Sequence, residues 1–340
     1  PRLYEQDIDS ALDYVALAER ASGPIPRRVE PAYVWGAALE VLDAARPDAR
    51  IINLETAITT GEDAEPKGIN YRMHPANVDV LTAARIDCCV LANNHVLDWG
   101  VAGLEETLAT LERAGIRTAG AGRDAAAARA PATLELPGRG ARVLVVAIGA
   151  TDSGVPPHRA AAPDRPGVWV LEEFTAAGVE AVARVVEATR RAGDVVVASI
   201  HWGGNWGYRI PDAHRRFAHA LIERAGVDVV HGHSSHHARA IEVHRGRPIL
   251  YGCGDLLHDY EGIAGYEHYR NDLVALYLLT LDAATGELLR LRIVPLQVRR
   301  FRLEHPSAAD RAWFRDTLDR ECARFGGRVA EGETLELEWG

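Results

Sequence analysis

Apolar positions along this chain of 340 residues come in short continuous runs, separated by longer stretches with helical spacing. Arg50–Leu54 (RIINL), Asp87–Ala92 (DCCVLA), Arg142–Ile148 (RVLVVAI), Asp194–Ile200 (DVVVASI), Val227–Val230 and Pro248–Tyr251 read as buried strands. Leu104–Ala114, Ala177–Ala192 and Ala213–Ala225 repeat apolar residues at the period of a helix. The last has Pro211 and Asp212 as start signals and Gly226 as a stop. This alternation predicts an α/β protein. Further on, Leu273–Leu281 and Leu289–Val298 flank the turn-like Asp282-Ala283-Ala284-Thr285-Gly286 and predict an antiparallel hairpin, and Ala308–Phe325 reads as a peripheral helix. Gly138–Gly140 and the Pro-rich Val155–Gly167 read as surface loops, the second long enough for a lid or substrate loop. No internal repeat is present. One domain over residues 1–340 is the simpler reading, with the hairpin and helix from about residue 270 as its C-terminal part.

Composition narrows the partners. An apolar content of 47% with 25% charged residues supports a sizeable core. A formal net charge of −10 argues against a general nucleic-acid binder, which presents a basic face. Cys88, Cys89, Cys253 and Cys322 show no CxxC spacing, and the adjacent pair lies in an apolar run where cysteine packs as a small hydrophobe. That usage suits a reducing cytosol. No run approaches the roughly 18 apolar residues of a membrane helix, so a soluble, cytoplasmic protein without a transmembrane segment is expected. Oligomeric state is not legible.

Histidine is unevenly placed: ten of 14 fall between His201 and His268. Imidazole ligates metals and moves protons near neutral pH, so clustering at strand ends is informative. In Val229–Glu242 (VVHGHSSHHARAIE) an apolar strand runs into Gly232, read as the point of a sharp turn, with four histidines at 231–237. His233 and His236 are the expected ligands there, His231 and His237 the alternatives, and Arg239 a substrate contact. In Val195–Trp206 (VVVASIHWGGNW) His201 follows a continuous apolar run, where side chains emerge from a sheet's carboxyl edge. Trp202 and Trp206 read as an aromatic wall for substrate or as core. In Leu91–Gly100 (LANNHVLDWG) Asn94 offers a carbonyl ligand and His95 an acid or base. Asp98 either orients His95 or caps the following helix. Glu55 closes the strand of IINLET, where a carboxylate is costly unless paired or bound to metal. These four strand ends are expected to meet on one edge of a sheet, as a metal centre of Glu55, Asn94, His201, His233 and His236. His95, with His236 or His237, would carry protons.

The same segments resemble the CapA, or poly-γ-glutamate capsule biosynthesis, family of the metallophosphoesterase-like superfamily. NLET, ANNHVLDWG, AGIRTAGAGRD from Ala114, HWG at His201, GHSSHHARAIE and YGCGD match its ordered blocks between Arg50 and Asp255. The resemblance implies a four-layer α-β-β-α sandwich with a metal centre on one edge. Glu55 would stand as bridging acid, Asn94 as ligand with His95 as its neighbouring proton donor, and His201 and His233 as later ligands, completed by His236 or His237. Two divalent ions are expected, of Mn, Fe, Zn or Co. The family's opening strand, ending Gly-Asp-Val-Met, is absent, and its Asp is expected upstream of Pro1. The loop Gly232–His236 is also one residue longer than the usual form. A related branch epimerises peptides in lasso-peptide pathways. The favoured reaction is therefore Cα proton abstraction on a peptide substrate, with phosphoester hydrolysis or poly-γ-glutamate synthesis as alternatives.

Overall fold

Every residue of Ala141–Ala150 is buried, and so is every residue of Val195–His201. Strands so continuously apolar need cover on both faces, which places them inside a parallel sheet. In the computed structural model, which describes residues 2–5 and 8–340, they pair in parallel at the centre of a seven-stranded sheet. The order is Val170–Leu171, Ala141–Ala150, Val195–His201, Val229–His233, Arg247–Leu250, Ile241–His244. Ala132–Leu136 also pairs, antiparallel, with Ala141–Ala150, and Ile241–His244 is the antiparallel edge. Pro1 lies outside the described residues.

A second, three-stranded parallel sheet joins Ile51–Asn53, Cys88–Val90 and Arg117–Ala119. The hairpin strands Leu273–Leu281 and Leu288–Arg299 belong to a third, antiparallel sheet completed by Arg302–Glu304, Leu335–Trp339 and Gly327–Ala330. One hydrophobic core draws on all three: Cys88, Val90 and Ala119, then Val143, Val145, Val197 and Val229, then Leu291, Ile293 and Leu335. On the far face of the seven-stranded sheet, Leu144, Val146, Val196 and Ile200 pack against helices Ala176–Thr189 and Asp212–Ala225. The first helix lays Val179, Val182 and Val186 on the sheet, and the second Phe217, Ala218 and Leu221. A third core sets Cys89, Leu91 and Leu54 against helices Ala37–Ala45 and Gly100–Arg113. Cys88 and Cys89 point to opposite cores and are fully buried; burial pushes the Cys88 thiol up to about 12. They are packing residues.

Three expectations change. Helix Ala308–Ala323 is not peripheral: Phe314, Leu318 and Cys322 lie in the shared core, and Cys322 Sγ accepts the Ile241 amide at the sheet edge. The stretch after Val155 is not a free lid, because Val155 and Val168 are buried and Gly167–Val168 pairs with Ala121–Gly122. Gly232 makes no turn. It sits inside strand Val229–His233, where an added Cβ would lie 2.6 Å from Leu250 O and 2.6 Å from Trp202 Nε1. Among the described residues no helix is long and apolar enough to cross a membrane.

Because those neighbours are a main-chain carbonyl and a core indole, Gly232→Ala forces a shift in the strand that carries His233. The substitution is expected to cost about 1–3 kcal/mol, as other overpacked cores do. Denaturant unfolding at equilibrium measures it, and an unchanged midpoint would contradict the packing described.

Candidate metal centre

Alternation along two strands decides which side chains reach the centre. Val197 and Val229 point into the shared core, so Ser199, His201, His231 and His233 face the same way. Parallel register sets Ser199 beside His231 and His201 beside His233. His201 Nδ1 lies 2.8 Å from His233 Nδ1, and Ser199 Oγ lies 2.9 Å from His231 Nδ1 and 3.1 Å from His233 Nε2. The remaining groups do not come from the same sheet edge, as the sequence suggested. Glu55 and Asn94 follow strands Ile51–Asn53 and Cys88–Val90 of the three-stranded sheet. Two sheets therefore contribute to the centre. Glu55 Oε1 is 3.6 Å from His201 Nε2, and its other oxygen accepts from Asn53 Nδ2 at 2.9 Å.

Asn93, unremarked in the sequence, clamps the second loop. Its amide donates to Asn53 Oδ1 and Leu54 O, and its oxygen accepts from the backbone of His95 and Val96. The next residue, Asn94, keeps its Oδ1 buried with no hydrogen-bond partner. His201 Nε2 is buried and equally unpartnered. Two buried lone pairs without protein partners, the imidazole one 3.6 Å from the Glu55 carboxylate, suit a cation. The residues present therefore fit a divalent metal. His233 has both ring nitrogens engaged, so its place is behind His201 unless that contact breaks.

His236 and Asp255 close the site, with His236 Nδ1 2.8 Å from Asp255 Oδ2. Asp255 was missed, although an acid just past a buried strand and between Gly254 and an apolar pair is a readable signal. Burial resists charge on His236, but the Asp255 carboxylate, with Glu55 beyond, outweighs it and pushes the imidazole up to about 9. Burial drives Glu55 up to about 7, reinforced by negative Asp255. Burial takes His201 down to about 3 and His231 to about 4, and holds His233 well below its usual value. His201 and His233 are thus neutral, as ligation requires. The chain bends into this arrangement at Ser234, a non-glycine residue at φ 94° whose hydroxyl donates to Gly203 O.

Around the centre, Asp98 orients rather than caps. Its Oδ2 is 2.7 Å from His95 Nδ1 and accepts from Tyr71 N, and helix Gly100–Arg113 has no side-chain cap. His237 is structural: Nδ1 donates to Ala238 O and Nε2 accepts from Gly207 N, so neither nitrogen is free for catalysis. Trp202 is no substrate wall. It is fully buried, stacked on His214 with its indole N–H on Tyr251 O. Trp206 is half-buried, stacks on Tyr266 at 4.1 Å, and lies 5.3 Å from the His236 ring. Arg239 is 3% exposed and donates to Gly204 O at 2.5 Å, so it props the His201 loop rather than meeting substrate.

A separate group, His219, Glu242 and His244, has donor atoms all within 4.8 Å and could hold a metal ion; it is the only such His/Cys/Asp/Glu group among the described residues. Glu242 and His244 alternate with Ile241 and Val243 of the shared core, so they lie on the opposite face of the sheet from His233. Glu242 already accepts from Arg215, His219 and Tyr251, His244 Nε2 engages Glu223, and the two imidazoles stack in parallel at 3.7 Å.

A family model described as "Bacterial capsule synthesis protein PGA_cap" matches residues 4–260, covering all the segments that build this centre. The chain belongs to that capsule-synthesis (CapA) family. Among relatives, a Mycobacterium tuberculosis protein named "Probable polyglutamine synthesis accessory protein" is 50% identical over 331 residues, 97% of this chain and 87% of that protein. The Bacillus subtilis "PGA biosynthesis protein CapA" is 26% identical over 249 residues, 72% of this chain and 60% of that protein. "Capsule biosynthesis protein CapA" of Bacillus anthracis is 24% identical over 233 residues, 68% and 53% of the respective chains.

If this CapA-family centre is the one that takes a cation, Mn2+ at about 100 times its Kd should add about 2.7 kcal/mol of stability. Thermal unfolding of the chelated and loaded protein tests it. The gain is expected to vanish in His201→Ala and to survive in His219→Ala; the reverse pattern would move the metal to the other face of the sheet.

Proposed function

We propose that this chain is a metal-dependent accessory enzyme in the synthesis of a glutamate-based amide polymer. The observation that carries this reading is the 50% identity, across 97% of the chain, to a protein named for polyglutamine synthesis. The family match and the two CapA relatives point the same way. The substrate in this reading is a peptide-like polymer or its activated precursor. Packing of helices on the outer faces of two facing sheets supports a single domain of four-layer α-β-β-α type, as in metallophosphoesterases.

Glu55, Asn94 and His201 are the proposed ligands, with His236 joining them once it gives up the proton that Asp255 favours, and with His233 fixing His201 from behind. Bound there, one or two divalent ions would polarise a carbonyl or phosphoryl oxygen. This nitrogen and oxygen set suits Mn, Fe, Zn or Co. Asp98 holds Nδ1 of His95, leaving Nε2 to give or take a proton at the reacting group. Trp206 and Tyr266 present a stacked aromatic edge beside His236, the surface against which a chain of substrate would lie.

Cα epimerisation of a peptide, as in lasso-peptide pathways, is the second reading. One observation favours it: His95 packs on Tyr71 at 4.0 Å, His236 meets Tyr260 edge-on at 5.7 Å, and the two tyrosine hydroxyls touch, so two proton-carrying imidazoles flank one tyrosine pair. The two readings part in deuterium oxide. Metal-loaded protein incubated with poly-γ-glutamate, polyglutamine peptides and a chromogenic phosphoester is followed by mass spectrometry and chain-length analysis. A change in polymer length or end groups without deuterium at Cα is expected, and His201→Ala should abolish it. Deuterium uptake at constant length would establish the epimerase instead, and turnover of the phosphoester alone would leave a plain hydrolase.

A further inference from the structure

The chain has 37 arginines and one lysine, Lys67. A protein that uses guanidinium nearly everywhere keeps its single ammonium at the proposed metal centre. Lys67 lies in the loop between strands Ala57–Ile58 and Arg72–Met73, and its side chain is 32% exposed. Its Nζ lies 2.5 Å from Asp98 Oδ1, donates to the main-chain oxygen of Asn94 at 2.9 Å, and stands 3.3 Å from His95 Nδ1. Two acceptors, Asp98 Oδ1 and Asn94 O, converge on that one atom, and the His95 ring edge lies beside them, its Nδ1–H given to Asp98 Oδ2. An ammonium directs its donors from a single atom, whereas a guanidinium spreads them along a planar fork.

The surrounding loop is fastened to the same residue. Glu65 N donates to Asp98 O, Asn70 Nδ2 donates to both Glu65 O and Asp98 O, and Tyr71 N donates to Asp98 Oδ2. The Asp98 carboxylate is therefore shared: Oδ1 to Lys67, Oδ2 to His95 and Tyr71. Fixing the first oxygen aims the second at the imidazole. The bond to Asn94 O acts on the other neighbour, holding the peptide from which the unpartnered Asn94 Oδ1 projects.

We infer that Lys67 is the positioning residue of the centre, its ammonium setting Asn94 for the metal and, through Asp98, His95 for the proton. This rests on the reading of Asn94 as a ligand. It assigns Lys67 no contact with the reacting atoms. Charge alone at position 67 is insufficient; the compact geometry of the ammonium is required.

Calorimetric titration of the chelated protein with Mn2+ tests this, using wild type, Lys67→Arg, Lys67→Met and His201→Ala, with unfolding in chelator as the check on folding. Both Lys67 variants are expected to bind Mn2+ at least tenfold more weakly while unfolding in chelator close to wild type. Wild-type affinity in either variant would overturn the inference, as would unfolding of both in chelator, which would make Lys67 a stability residue. Binding by wild type that is lost in His201→Ala but intact in the Lys67 variants sinks this inference alone. No binding by wild type, or equal binding by His201→Ala, sinks the reading of the centre instead. One measurement needs no variant. Lys67 is the only side-chain amine available to acylation, and the acylated protein should lose Mn2+ binding; full retention would contradict the role.

Discussion

The centre depends on one pairing, that of Val195–His201 with Val229–His233, which brings His201 level with His233. Strand side chains alternate between faces, so a slip of one residue would turn one imidazole into the helix-packed core and leave the other alone. Burial resists such a slip. Val197 and Val229 fill the core between sheets while Val196 and Val230 fill the core under the helices, and exchanging the two sets would put histidine and serine among leucine and phenylalanine. Hydrophobic patterning thus fixes the chemistry: the same alternation that buries valine delivers the imidazoles.

The centre is electrostatically costly in compensating ways. Glu55, Asp255 and His236 have side chains only 15–23% exposed, so each charge there gains from an opposite one. Asp255 resolves part of the conflict by pairing with His236, and Glu55 is left as the carboxylate that burial and its negative neighbour both oppose. His201 and His233 stand neutral beside it. A cation held there, as proposed, would offset the charge that Glu55 and Asp255 bring together. That also explains why the opposite-face trio of His219, Glu242 and His244 is electrostatically quieter: Arg215 and Tyr251 already satisfy its carboxylate.

Much of this was legible in the sequence, because continuous apolar runs followed by metal-capable residues signal buried strands and their carboxyl ends. Glu55, Asn94, His201 and His233 could be picked that way. What the pattern could not supply was the third dimension. It did not show that two sheets rather than one present these groups, since periodicity says nothing of which sheet a strand joins. Nor could it separate His236 from His237, one residue apart in a loop whose path is decided by the backbone at Ser234. Trp202 and Arg239 were misjudged for a related reason, because a residue beside a site in sequence can be packed beneath it. The strands Gly327–Ala330 and Leu335–Trp339 were overlooked because they are short, with polar residues alternating along them. Lys67 has no periodic signature, and counting residue types would have found it where pattern reading did not.

Donors that hang from two facing sheets are spaced by whatever lies between those sheets. Near the centre that filling is thin: Ala92, Ala119 and Ala147 belong to it, and a side chain added at Gly120 would strike Ala92 and Ala147 at under 3 Å. The separation of the two walls, and with it the bite presented to a cation, is therefore gauged by alanine-sized spacers buried out of reach of any ligand. Descendants of this fold could retune affinity or ion size by exchanging a methyl for a slightly larger group in that filling, leaving every coordinating residue untouched.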